Sequence, residues 1–140
     1  MLKNKIAFIS EHASPLSCLG GVDAGGQNVY VAELAMKLAS MGYEIDIFTR
    51  RDNPRLPTII NWMNGVRVIH ITAGPCSFVV KEEMLPLMKE FKENVLRFIK
   101  NSGPCYQLMH ANFFMSALTC SQLKKELRIP FVLTFLSAAY

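Results

Sequence analysis

The chain has 140 residues, a formal net charge of +4 and 51% apolar residues. This length suits one domain, and the apolar content is sufficient for a buried core, which excludes a disordered chain. The basic residues are scattered and form only two adjacent pairs, Arg50-Arg51 and Lys124-Lys125. We expect both pairs on the solvated surface, and no nucleic-acid-binding stripe.

The cysteines and the apolar runs indicate the compartment. The four cysteines, at 18, 76, 105 and 120, are widely spaced and form no C-x-x-C or metal-ligand pattern. We expect buried or half-buried free thiols and no metal site, which favours a reducing cytoplasm. The start of the chain lacks the features of a signal peptide. No apolar run approaches the ~20 residues needed to span a bilayer, so no membrane span is expected.

The first 50 residues predict a βαβ unit. Residues 5–10 form a short apolar run typical of a buried strand, and a glycine-rich connection follows. Apolar residues at helical spacing predict a helix over 28–41, with Gly42 just after its end. Residues 44–49 predict a second strand. Such units are right-handed and have parallel strands.

The remaining elements alternate in the same way. They are predicted as strands at 58–62 and 66–72, a helix at 81–101, a strand at 106–110, a helix at 115–127 and a strand at 130–135. An Asn64-Gly65 turn joins the first two strands as a hairpin. Pro86 is tolerated near the first turn of its helix, and Leu118 and Leu123 are expected to face inward. The pattern predicts an α/β, Rossmann-like three-layer domain with a mostly parallel sheet.

The glycine-rich connection suggests a phosphate-binding loop. Gly20, Gly21, Gly25 and Gly26 allow close approach of the backbone to a ligand, and the first amides of the following helix favour an anion. Gln27 and the residue after it replace the Lys and Ser/Thr of a nucleotide-triphosphate P-loop, which argues against ATP hydrolysis. The spacing also matches a dinucleotide-binding fingerprint poorly.

Histidines and carboxylates give fewer signals. His12 follows the first strand, at a position from which side chains reach ligands in open α/β sheets, although an exposed loop histidine fits equally well. His70 alternates with apolar neighbours and is interpreted as a packed or surface residue. Glu82 and Glu90 have an E-x7-E spacing, which we interpret as chance because both fall on the solvent side of an amphipathic helix.

Several motifs occur in a defined order along the chain. They are Glu11-His12-Ala13-Ser14-Pro15-Leu16, Gly20 to Val31, Ile47-Phe48-Thr49-Arg50, Ala73-Gly74-Pro75, Lys81-Glu82, His110 to Ser116 and Ile129 to Phe135. Together they resemble the amino-terminal domain of retaining GT-B glycosyltransferases of the family 4 type. Similar proteins are the sucrose synthase and sucrose-phosphate synthase group and the inositol-phosphate glycosyltransferase of mycothiol synthesis.

The resemblance implies a sugar-transfer site between two Rossmann-like domains, with acceptor contacts on the amino-terminal one. It places the amides of Gly25 and Gly26 against the diphosphate of a nucleotide-sugar donor. Gln27 and Asn28 hydrogen-bond hydroxyls of a sugar or sugar-phosphate acceptor, and Lys81 meets an acceptor phosphate or hydroxyl. The same cleft is implied to contain His12, His110 and Thr134. No cofactor and no metal are expected, and no catalytic residue is assigned.

The chain departs from the family pattern in four places. Leu136 stands where a histidine is common after the last predicted strand, Gln107 where an Asp is common, and Phe113-Phe114 where Tyr-Trp is common. Leu136 removes the histidine that the resemblance implies near the reacting sugar, whereas the other differences remove a carboxylate and polar ring groups on which the acceptor specificity of the family would depend.

The predicted domain spans residues 1–140, is truncated at its carboxyl end and lacks the donor-binding domain. The first hypothesis is therefore a glycosyltransferase domain that needs a separate donor-binding domain and is inactive in isolation. The alternative is a non-catalytic remnant that binds a sugar phosphate or a protein partner. Exposed apolar surface beside the last strand is also expected, which favours self-association.

Overall fold

The computed structural model describes residues 4–16, 26–102 and 105–134. Within these ranges, six strands and three α-helices alternate. They are β1 (Lys5–Ile9), α1 (Gly26–Ser40), β2 (Glu44–Arg50), β3 (Ile59–Met63), β4 (Val66–Ile71), α2 (Met88–Ser102), β5 (Leu108–Ala111), α3 (Phe114–Leu127) and β6 (Phe131–Leu133). The described strands form one sheet in the order β3-β4-β2-β1-β5-β6.

The sheet is parallel except at one edge. β1 pairs with β2 and β5, β2 pairs with β4, and β5 pairs with β6, all in parallel. β3 and β4 form an antiparallel hairpin, with Gly65 at a φ of 87° in its turn. Glycine adopts this backbone conformation without steric cost. The predicted mostly parallel α/β sheet and its edge hairpin are confirmed.

Two apolar cores lie on opposite faces of the sheet. Alternate side chains of each strand point to opposite faces, so Ile45 and Ile47 join the core under α1 whereas Phe48 joins the core under α2 and α3. Because helices cover both faces of the sheet, side chains on both faces of each inner strand are buried. These strands are therefore nearly continuous apolar runs. Three layers result, and the carboxyl ends of the parallel strands meet at one edge.

The predicted long helix is shorter than the sequence indicates. Residues 81–83 and 85–87 form two separate 3₁₀ turns, and α2 begins only at Met88. Pro86 lies in the second turn. Because the residue before a proline is disfavoured in the helical region and proline lacks an N–H donor, a continuous helix through this position is unfavourable. The predicted apolar stripe of the helix is nevertheless buried at Phe91, Val95 and Ile99.

The inward face of α3 differs from the prediction. Leu123 is fully buried, but the side chain of Leu118 is 40% exposed. The buried positions follow the i, i+3, i+4, i+7 spacing of one helix face, and they are Ser116, Thr119, Cys120 and Leu123. Three of these four residues are small or polar, so apolar residues alone do not reveal the buried face.

The cysteines are less buried than expected. Cys120 is buried, whereas Cys76 and Cys105 are exposed, and Cys18 lies outside the described residues. Both exposed cysteines lie in connections between elements, where side chains are covered least. None of the helices in the described ranges has the length and apolar character needed to cross a membrane.

Apolar surface is exposed beside the last strand, as the sequence predicts. The side chains of Val132 and Leu133 are 49% and 42% exposed. The self-association expected from this surface stays a prediction.

Candidate functional site

Buried polar groups gather where β1 and β2 end. The Ser10 amide donates to the Phe48 carbonyl, and the Arg50 amide donates to the Glu11 carbonyl at 3.2 Å. Ser10, Glu11, Thr49 and Arg50 are all at most 5% exposed. In open parallel sheets, ligands bind at this edge.

Side-chain hydrogen bonds fix the segment after β1 against the start of α1. The Ser10 hydroxyl donates to the Ala13 carbonyl at 2.8 Å, and the Asn28 amide donates to the Ser14 carbonyl at 2.9 Å. Since α1 begins at Gly26, Gln27 and Asn28 belong to its first turn. Gly25 lies outside the described residues. The geometry therefore gives Asn28 a structural contact in addition to the predicted ligand contact.

Four of the predicted site residues line one cavity. A cavity of about 300 Å³ is bounded by His12, Gln27, Asn28 and Lys81, together with residues 78–80 and Glu82. A second cavity of about 210 Å³ shares four of its wall residues and continues to the ends of β2 and β4. The shared residues are His12, Asn28, Phe78 and Val79. We call the two cavities together the edge cleft.

His12 is packed into the wall of the cleft, contrary to the loop-histidine alternative. Its side chain is 12% exposed, and its ring centroid lies 4.1 Å from that of Phe113. The Nδ1 atom is 3.3 Å from Oε1 of Glu11, whose side chain is fully buried. The other carboxylate oxygen of Glu11 accepts a short hydrogen bond from the Ser116 hydroxyl. Sequence reasoning did not single out Glu11 or Ser116 as functional.

Arg50 organises the segment that leads to Lys81. Its guanidinium donates to the carbonyls of Ala73, Pro75 and Ser77 at 3.1, 2.7 and 2.5 Å. Arg50 is only 5% exposed, which corrects the expectation of a solvated pair with Arg51. Burial lowers the pKa of Arg50, and the nearby Asp52 carboxylate partly opposes this effect. The available signal was its position at the carboxyl end of a predicted strand, the edge at which sites form in open α/β sheets.

The structure places His110 and Thr134 in a different environment from His12. The Nε2 atom of His110 is 2.7 Å from the Thr134 hydroxyl, which also accepts a long hydrogen bond of 3.5 Å from Tyr30. His110 lines a largely apolar cavity of about 560 Å³ beside α1, with Leu108 and Val132. Burial lowers the pKa of His110. These residues share the carboxyl edge of the sheet with the edge cleft, but they lie outside its wall residues.

Other predicted features have structural roles. His70 is buried and its Nδ1 lies 2.8 Å from the Pro57 carbonyl, as expected of a packed histidine, and it also lines the second cavity of the edge cleft. Glu82 and Glu90 are exposed as expected, although Glu82 lies in a 3₁₀ turn rather than in the helix. Glu90 accepts a hydrogen bond from the Gly74 amide at 2.7 Å. The described ranges contain no group of three His, Cys, Asp or Glu side chains arranged to hold a metal ion.

A doubly wound parallel sheet with a polar cleft at the carboxyl ends of its strands defines a Rossmann-like ligand-binding domain. Comparison with known sequences identifies its family. Residues 25–140 match the family model of the glycosyl transferase 4-like domain. The chain therefore belongs to the glycosyl transferase 4-like family.

Curated relatives agree with this assignment. A D-inositol 3-phosphate glycosyltransferase from Corynebacterium urealyticum is 41% identical over 112 residues, which cover 80% of this chain and 26% of the relative. A protein of the same name from Thermomonospora curvata is 38% identical over 129 residues, which cover 91% and 30%. The chain thus spans less than a third of the length of these relatives.

Solved structures show the same fold. Sucrose-phosphate synthase from Thermosynechococcus elongatus superimposes with a TM-score of 0.87 and 32% identity, over 96% of this chain and 33% of that one. The catalytic domain of starch synthase IV from Arabidopsis thaliana gives a TM-score of 0.68 at 13% identity, over 95% and 34%, which supports the fold alone. The predicted resemblance is confirmed, and the domain matches one half of a GT-B glycosyltransferase.

Proposed function

We propose that this domain is the acceptor-side half of a retaining GT-B glycosyltransferase. It binds a sugar or sugar-phosphate acceptor, and a separate donor-binding domain supplies the nucleotide sugar. The observation that carries the proposal is the convergence of His12, Gln27, Asn28 and Lys81 on one cavity at the carboxyl edge of the sheet. These residues come from three separate parts of the chain, the segment after β1, the first turn of α1 and the 3₁₀ turn at 81–83, so their convergence is a property of the fold.

The chemistry of the cavity suits a polyol that carries a phosphate. The side-chain amide of Gln27 can donate and accept, as hydroxyl groups require. Lys81 brings a positive charge to the cavity wall, which favours a phosphate group. The first turn of α1 contributes backbone amides at Gly26 and Gln27 to the same region, and helix amino termini favour anions.

Sugar transfer from a diphosphate leaving group needs stabilisation of charge and orientation of both reactants. Orientation contributes up to about 7–11 kcal/mol when both partners are held in register. One wall of the cleft supplies only part of this contribution, so we propose that turnover requires the donor-binding domain. His110 and Thr134 are proposed to contact ligand only when that domain closes the cleft, because they contact each other outside the wall of the edge cleft and His110 lines a separate cavity.

The names of the relatives give the first probe. D-inositol 3-phosphate is to be titrated into ¹⁵N-labelled protein while the amide resonances of residues 26–28 are followed. We expect these resonances to shift, and Gln27→Ala to weaken binding by about fivefold, because one hydrogen bond to ligand contributes about 1 kcal/mol. Gln122→Ala, an exposed change of the same kind on α3, is the matched control. Equal affinities of both variants would contradict the proposed site.

A non-catalytic binding module is the second candidate. It is favoured by Leu136, which replaces the histidine common in the family and lies outside the described residues. Sugar-transfer assays with the chain alone and with candidate donor-domain chains separate the two. Binding of acceptor without turnover in every combination favours the module, whereas turnover with a donor domain favours the transferase.

A further inference from the structure

The proposed function uses His12 but gives no role to Glu11, the carboxylate that pairs with it. Glu11 is buried, with its side chain fully inaccessible to solvent, yet it lies beside a cleft. A buried carboxylate is costly unless hydrogen bonds satisfy it. Here both oxygens have partners, the His12 ring on one side and the Ser116 hydroxyl on the other.

The partners of Glu11 restrict the protonation of His12. An ionised carboxylate accepts hydrogen bonds but cannot donate them, so the Nδ1 atom facing it must carry a proton. In a neutral imidazole, the other nitrogen is then an acceptor. Ser116, 105 positions away in the chain, holds the second oxygen and therefore the orientation of the carboxylate.

The Nε2 atom of His12 is the unexplained part of this arrangement. It is enclosed by protein and has no hydrogen-bond partner in the described part of the chain. Buried polar atoms are nearly always satisfied, so each exception calls for an explanation. The Phe113 ring packs on the imidazole, which fixes the plane of the ring within the wall shared by both cavities of the edge cleft.

We propose that Glu11 is a positioning residue that keeps His12 in the Nδ1-protonated tautomer, so that Nε2 accepts a hydrogen bond from a hydroxyl group of the ligand. At this point of the cleft the site therefore selects a hydroxyl donor over a deprotonated phosphate oxygen, because that oxygen and Nε2 are both acceptors. The ligand part of this inference rests on the proposed function. The positioning of His12 by Glu11 stands on the geometry alone.

The tautomer is measurable directly. The chain has three histidines, so ¹⁵N-histidine labelling with long-range ¹H–¹⁵N correlation gives few signals, and His12→Asn assigns the relevant one. His70 is an internal reference, because its Nδ1 faces the Pro57 carbonyl and must also be protonated. In the wild type we expect the population of the Nδ1-protonated tautomer of His12 to exceed that of the Nε2-protonated tautomer at least about tenfold, because its hydrogen bond to Glu11 is charge-assisted.

Two variants test the role of the carboxylate. Glu11→Gln provides an amide that can donate to Nδ1. The ratio of the Nδ1-protonated to the Nε2-protonated tautomer of His12 is therefore expected to fall toward about one, while the tautomer of His70 is unchanged. Ser116→Ala keeps the charge but frees one oxygen, and an intermediate ratio is expected. Glu33→Gln removes an exposed glutamate of α1 and is the control for the change in charge. An Nε2-protonated His12 in the wild type, or an unchanged ratio in Glu11→Gln, overturns the proposal.

Ligand titration tests the selection of a hydroxyl. Myo-inositol and D-inositol 3-phosphate are expected to shift the His12 Nε2 resonance, whereas sulfate, a fully deprotonated oxyanion with no proton to donate, is not. A response to sulfate but not to the polyol overturns the proposed selectivity. If neither ligand moves residues 26–28 while the tautomer is as expected, the proposed function fails and the positioning role of Glu11 is supported.

Discussion

Removal of the Arg50 side chain tests whether one buried guanidinium organises the wall of the edge cleft. In Arg50→Met, three carbonyls lose their donors, those of Ala73, Pro75 and Ser77. At about 1 kcal/mol net for each hydrogen bond, the loss is about 3 kcal/mol. Methionine removes the cost of burying the charge, which offsets part of that loss. We therefore expect a net destabilisation of about 2 kcal/mol.

The neighbouring arginine is the matched control. Arg51 has a guanidinium hydrogen bond to the Pro54 carbonyl at 2.9 Å, in an exposed setting. Arg51→Met is therefore expected to cost no more than about 0.5 kcal/mol. Both variants are to be compared by urea denaturation. For a domain of this size, about 2 kcal/mol corresponds to a decrease of about 6–10 °C in the melting temperature.

Arg50→Met should also have a local signature. The amides of residues 73–81 are expected to exchange faster with solvent, because the segment loses its attachment to the end of β2. Under the proposed function, affinity for D-inositol 3-phosphate should decrease as well, since Lys81 follows this segment. Equal destabilisation by Arg50→Met and Arg51→Met, with unchanged exchange over 73–81, would refute the organising role.

Three further predictions follow from buried groups and one glycine. Asp46 accepts two hydrogen bonds from Arg67 and one from the buried Tyr106 hydroxyl. In urea denaturation, Asp46→Ala is therefore expected to lower the free energy of unfolding by about 3 kcal/mol. Tyr106→Phe removes only one of these hydrogen bonds and is expected to lower it by about 1 kcal/mol. Equal losses would contradict this difference. Gly74 has a φ of 70°, and an added Cβ would lie 2.5 Å from Cδ2 of Leu87, so Gly74→Ala should lower the free energy of unfolding by about 1–3 kcal/mol. Gly42 has a φ of 98° but open space around it, so Gly42→Ala should lower the free energy of unfolding by less. Burial lowers the pKa of His70 and of His110 in the folded state. The unfolded chain therefore binds more protons below its histidine pKa of about 6.5, and stability should fall as the pH decreases through this value. Unfolding free energies that do not decrease between about pH 7.5 and 5.5, or the same decrease in a His70→Gln variant, would count against this assignment.

Much of the fold could be predicted from local patterns. The strands and helices were placed within a few residues of their observed bounds, because apolar runs and helical spacing depend on neighbours in sequence. The exceptions have local causes that compete with those patterns. Because Pro86 disfavours a continuous helix, α2 begins only at Met88. The buried face of α3 carries polar residues, so the positions of its apolar residues do not identify that face.

The candidate site was predictable only in part. The motif series indicated His12, Gln27, Asn28 and Lys81, and these residues do share a cavity. Nothing in the sequence predicted that His110 and Thr134 pair with each other, or that His110 lines a separate cavity. Whether two residues at the same sheet edge share a cavity depends on the side chains between them, which is a matter of packing.

The sequence by itself determined the order of the elements, the parallel sheet and the glycosyltransferase family. Only the tertiary structure decided that Arg50 is buried, that Glu11 is enclosed and that His12 lies between Glu11 and Phe113. The physical reason is that a local sequence pattern indicates which face of a helix or strand is apolar, but it does not indicate which residues distant in the sequence contact that face. Ser116 reaches Glu11 across 105 positions, and Arg50 reaches Ser77 across 27, through contacts that exist only once the sheet and its helices have assembled.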